Sequence, residues 1–88
     1  MTRQEVIQRF KELDQSPSAL CRWIIATQRG IGPGEVMGIL IEAFGVELGD
    51  VSALGGWWPG VETELDDEAI DRLLGGPLRT TLGQRSRE

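Results

Sequence analysis

Ten carboxylates stand between Glu35 and Asp71 with no Lys, Arg or His among them. The stretch before this block carries about +2 and the stretch after it about +3, so the net charge of −5 is a −10 centre between two mildly basic ends. Glu62, Glu64, Asp66, Asp67 and Glu68 crowd the end of the block, directly after Gly55-Gly56-Trp57-Trp58-Pro59-Gly60. Such a constellation suits one of three chemistries: acid–base catalysis, a hard-cation site, or recognition of a basic partner.

Catalysis lacks its usual parts. The chain has no histidine and no tyrosine, and its one thiol, Cys21, falls on the apolar face of a helical segment. A hydroxyl or thiol nucleophile needs a base within hydrogen-bond reach, so the Ser and Thr residues are unassisted. Paired carboxylates need one desolvated member to hold a proton near neutral pH. A run this polar reads instead as a solvated helix start, and no enzyme is expected. A metal fares no better. Glu62-x-Glu64-x-Asp66 alternates oxygen ligands as calcium loops do. The full pattern then needs a glycine where Asp67 stands and a glutamate where Leu73 stands. No cofactor is expected.

Nucleic-acid binding has one point in its favour. An apolar helix, a turn at Gly45-Val46, and Val51 beyond it match helix-turn-helix spacing. The segment that would enter the groove, Asp50-Val51-Ser52-Ala53-Leu54-Gly55-Gly56, has no Arg, Lys, Asn or Gln to read a base. It also sits in the acidic part of the chain, which phosphates repel. A small transcriptional regulator using residues 33–57 is the alternative reading.

The remaining chemistry is contact with a basic protein. Adjacent residues in an extended segment point opposite ways. Trp57 and Trp58 therefore do not both bury easily in a thin domain, and one is expected to stay partly exposed beside Glu62 and Glu64. An exposed tryptophan in an acidic rim anchors a partner while the charge steers it. A plainer account competes. One or both tryptophans fill the core of a domain with only two phenylalanines, the Gly and Pro residues shape the turn, and the acid confers solubility.

The elements that position these residues follow from patterning. Eighty-eight residues make one domain, and 40% apolar with 26% charged residues is ordinary for a soluble globular chain. A single cysteine forms no internal disulfide, which suits a reducing compartment. No apolar run approaches ~20 residues and no signal-peptide core follows Met1, so the reading is cytoplasmic, with no membrane.

The first helix is expected from Arg3 to Leu13, capped by a Thr2/Glu5 box, with Val6, Phe10 and Leu13 on one face and a Glu5–Arg9 pair on its surface. The second starts at Ser16-Pro17, buries Leu20, Cys21, Ile24 and Ile25, and ends at Gly30. The third runs from Pro33 to Phe44. Its only polar positions after Gly34 are Glu35, Gly38 and Glu42, one narrow stripe, which marks a central helix. Asp50 is expected to cap a single turn, Val51–Leu54. Trp58-Pro59-Gly60-Val61 has the residues of a type II turn. Asp66 is expected to cap a last helix from Asp67 to Leu74, stopped by Gly75-Gly76-Pro77.

The fold class is therefore all-α: a single-domain bundle of four to five helices over residues 1–78, with a Gly/Trp/Pro-rich loop before the last helix. Residues 79–88 are expected to form a frayed Arg-rich tail, from which Arg79, Arg85 and Arg87 can fold back on the acid block. In size, charge and lack of catalytic groups the chain resembles small acidic bacterial immunity proteins and antitoxins, which bind and neutralise a basic toxin. That likeness implies a non-enzymatic inhibitor or adaptor contacting its partner through Trp57, Trp58, Glu62, Glu64, Asp66, Asp67 and Glu68. A homodimer through spare apolar surface on the second and third helices is a further expectation.

Overall fold

The computed structural model describes residues 1–85, with side chains as far as Leu82. Among the described residues the fold is all-α: α1 (Arg3–Glu12), α2 (Pro17–Thr27), α3 (Pro33–Phe44), α4 (Leu48–Val51), a 3₁₀ turn (Ser52–Gly56) and α5 (Asp67–Arg85), with no strand. Among the described residues no helix is long and apolar enough to cross a membrane.

α3 occupies the place its pattern demands. Val36, Leu40, Ala43 and Phe44 are buried, Met37, Ile39 and Ile41 pack partly against the core, and Glu35, Gly38 and Glu42 face outward. It touches every other helical element. Gly45 closes it in the left-handed region (φ 73°), its N–H donating to the Ile41 carbonyl at 2.8 Å. Phe44 meets Phe10 of α1 edge to face, with centroids 5.2 Å apart. The Arg3 guanidinium donates to the Glu42 carbonyl at 3.0 and 3.1 Å, supplying a partner for a carbonyl in the last turn of α3.

The caps of the first two helices follow the sequence closely. Thr2 Oγ1 accepts from the Glu5 N–H at 3.1 Å, but the Glu5 carboxylate returns to the Thr2 hydroxyl, not to its backbone. The expected Glu5–Arg9 pair does not form. Arg9 pairs with Glu12 at 3.3 Å, and its guanidinium lies 5.0 Å from the Trp23 ring centre. A tryptophan face from a neighbouring helix attracts the cation where an exposed i,i+4 carboxylate contributes little. Ser16 and Pro17 open α2 as expected. The helix ends at Thr27 with Gln28 as its cap, short of Gly30, which still takes the left-handed conformation (φ 81°).

Two boundaries differ more. α4 starts three residues before the expected turn. Glu47 is its N-cap and Asp50 is the N3 member of a capping box, not the cap itself. This start buries Val51 and Leu54 and leaves Leu48 exposed. The larger difference is α5, which continues through Gly75-Gly76-Pro77 to Arg85. The expected frayed segment is thus helical from Arg79 to Arg85, while residues 86–88, including Arg87, lie outside the described residues.

Packing explains the continuation. Ile70, Leu74, Leu78 and Leu82 recur every four residues and are all buried. Two interior glycines and a proline cost about 5 kcal/mol relative to alanine. Burying Leu78 and Leu82 returns about 3–6 kcal/mol, and the two terms nearly cancel. Pro77 offers no N–H to the Leu73 carbonyl, and Leu73 lies on the exposed side of the helix, where water can serve it.

The core is one cluster from Val6 to Leu82, and Leu40 at its centre is fully buried. Leu40→Ala is expected to cost about 2–5 kcal/mol, a large share of the ~4–13 kcal/mol available to a chain this long. Urea unfolding followed by tryptophan fluorescence measures it.

Candidate functional site

The acidic segment is built on a closed loop. Trp57 leaves the 3₁₀ turn in extended conformation, its N–H donating to the Leu54 carbonyl at 3.3 Å. Trp58-Pro59-Gly60-Val61 then turns, with the Val61 N–H on the Trp58 carbonyl at 3.3 Å and Gly60 at φ 82°. Positive φ at the third position is what a type II turn requires, and only glycine adopts it without strain. The loop closes where the Leu65 N–H donates to the Gly56 carbonyl at 3.0 Å. A Cβ on Gly56 would stand 3.4 Å from the Leu65 side chain, so the two residues are closely packed at the closure. Asp66 caps α5, accepting from the Ala69 N–H at 2.8 Å.

The two tryptophans do not point apart. Their rings meet edge to face, 6.5 Å between centroids. Trp57 is buried at 2% exposure, while Trp58 packs partly against the core. The Trp57 indole N–H donates to Asp67 Oδ1 at 2.9 Å. The Arg22 guanidinium donates to both Asp67 oxygens, the shorter contact 2.8 Å, and lies 5.5 Å from the Trp57 ring centre. Asp67 is thus the acceptor that closes a Trp57–Asp67–Arg22 node. The Arg22 and Trp57 hydrogen bonds hold its carboxyl below the usual carboxylate range.

One turn further along α5, Asp71 Oδ1 accepts from the Ser18 N–H at 2.9 Å and the Ser16 hydroxyl at 3.0 Å. A carboxylate there satisfies free donors at the positive end of α2. Ser18 and Arg22 are four apart on α2, and Asp71 and Asp67 are four apart on α5. The two pairs meet in antiparallel register. This is the feature the sequence reading missed, and its signal was the matched spacing of complementary groups on two separate helices.

The seven residues expected at a partner surface therefore divide. Trp57 is core and Asp67 belongs to the node. Asp66 is exposed but occupied as a cap. Glu62, Glu64 and Glu68 are exposed, with neither an ion pair nor a hydrogen bond among the described residues. Trp58 is partly buried, and Val61 is 60% exposed. Among the described residues no group of three acidic, cysteine or histidine side chains converges as a metal site would. The segment after the α3 turn is only the four-residue α4 and the 3₁₀ turn. Among the described residues the exposed large apolar side chains are Met1, Leu48, Val61 and Leu73, none of them on α2 or α3. Away from this loop, Ile7, Arg9 and Trp23 line a shallow depression of about 750 Å³ between α1 and α2.

With this geometry in hand, comparison with known proteins finds no matching family, no matching curated protein and no matching solved structure.

Cys21 is fully buried on α2, and burial together with the nearby Asp71 charge pushes its thiol up to about 12. A thiol held protonated is a poor nucleophile. A disulfide reagent at pH 8 is expected to react with it only after denaturation, and fast labelling of the native protein would contradict the burial.

Asp67 gives a pH dependence. Its carboxyl titrates lower when folded than the ~3.9 expected unfolded. The stability it contributes is present above that unfolded value and is lost as pH falls through the folded one. Asp67→Asn keeps an acceptor for Trp57 and removes the charge. Its urea midpoint is expected to lie below wild type at pH 7, and the difference to shrink as pH falls below the unfolded carboxylate value toward the lower folded one.

Proposed function

We propose that this chain is a non-enzymatic protein-binding module whose contact face is the Trp58–Glu68 loop. Its partner is a basic protein, and its action is that of an inhibitor or adaptor. The observation that carries this reading is the division of the acidic segment. Asp66 and Asp67 serve the fold, whereas Glu62, Glu64 and Glu68 hold no protein partner among the described residues. Glu62 and Glu64 stand in a loop that also presents the partly buried Trp58 ring and the exposed Val61, and Glu68 follows in the first turn of α5. An aromatic anchor framed by free like charge gives both a desolvated contact and long-range steering.

The contact set narrows accordingly to Trp58, Val61, Glu62, Glu64 and Glu68, with Asp66 at its edge. Trp57 and Asp67 act through the fold by holding the loop. A likeness in profile to acidic immunity proteins and antitoxins supports an inhibitor over an adaptor by analogy. Reduced association at high salt belongs to the same reading, because exposed charges more than a Debye length apart are screened.

The test is a pull-down with tagged protein from its own host's lysate at low and moderate salt. One stoichiometric basic protein is expected, retained by wild type and lost by Trp58→Ala combined with Glu64→Lys, while circular dichroism of the variant is unchanged. Recovery of nucleic acid alone, or an eluate unaffected by the double variant, would overturn it.

A further inference from the structure

We propose that α5 is two cooperative units joined at Gly75-Gly76-Pro77, and that its distal unit, residues 77–85, is a strap that opens as one piece while residues 67–74 stay docked. Three independent observations carry this. The first is the backbone at the joint: two glycines and a proline stand consecutively inside a helix of 19 residues, where each disfavours helix and Pro77 removes a hydrogen bond.

The second is unequal anchoring. The proximal unit has the Asp66 cap, the bidentate Arg22–Asp67 pair, the Trp57 indole on Asp67, and Asp71 on Ser16 and Ser18. The distal unit buries Leu78 and Leu82. From its described side chains, a 3.3 Å bond runs from Arg79 to the Gln15 carbonyl. Gln15 and its neighbour Asp14 both sit at positive φ, 55° and 57°, a strained conformation for residues with a Cβ.

The third is a gap along one flank. Pro77, Thr80 and Thr81 face Gly45, Val46, Glu47 and Asp50 across a cleft of about 420 Å³. The distal unit is thus packed on its leucine stripe and bordered by a shallow groove open to solvent. Opening it would uncover the core surface beneath Leu78 and Leu82 and leave the Trp57–Asp67–Arg22 node in place. This opening leaves the acidic loop in place, and it does not depend on the proposed binding function.

Amide hydrogen exchange of the full chain, resolved by NMR, tests this. The amides of Leu78 to Leu82 are expected to share one opening reaction, at least tenfold less protected than Ile70 to Leu74, with a step across Pro77. Gly76 is exposed and a Cβ there meets nothing within 4 Å, so Gly76→Ala changes backbone preference alone. It is expected to raise distal protection about fivefold and leave Ile70 to Leu74 unchanged, and Pro77→Ala to raise it further. A smooth decline from Leu73 to Leu82 would be ordinary end fraying and would overturn the proposal. So would equal protection on both sides of Pro77, or distal protection that Gly76→Ala does not alter.

Discussion

α3 is the constraint on which the other elements depend. Seven of the nine residues from Val36 to Phe44 are apolar, so this helix is stable only when covered on nearly all sides. α1 covers it through Phe10 and holds its C-terminal end through Arg3. α2, α4, the 3₁₀ turn and α5 also lie against it. The short outer elements are marginal by themselves, since a helix under ~12–15 residues rarely persists alone in water. Their formation and the burial of α3 are one event.

Apolar burial does not choose a register, and the α2–α5 contact supplies one. Ser18 with Asp71 and Arg22 with Asp67 match one helical turn against another. The Arg22–Asp67 pair is about half exposed, so its energetic contribution is small. Its value is geometric. It fixes the start of α5 over Trp57, which in turn fixes the direction in which the chain leaves the 3₁₀ turn. The acidic loop is thereby presented from a rigid base.

The charge of this protein accordingly performs two jobs that look alike in the sequence. Asp50, Asp66, Asp67 and Asp71 each accept hydrogen bonds that cap or join helices. Glu62, Glu64 and Glu68 do not, and their like charge is left facing solvent. The division follows placement: Asp50 and Asp66 stand at the starts of their own helices, and Asp67 and Asp71 face donors on α2 and Trp57, whereas no donor among the described residues faces Glu62, Glu64 or Glu68.

Periodicity and local turn chemistry made much of this fold legible in the chain itself. The Thr2 and Ser16 caps, the limits of α3, the Pro59-Gly60 turn and the Asp66 cap all depend on residues within a few positions of one another, so the sequence by itself determined them. What it did not determine was long-range. Gly75-Gly76-Pro77 reads as a stop because the local cost is visible, whereas the compensating burial of Leu78 and Leu82 exists only once a core lies beneath them. Trp57 and Asp67 read as surface candidates because neither reveals Arg22, 45 residues from Asp67 along the chain. Tertiary structure decided both, because burial and pairing energies belong to groups that meet only after the chain has folded.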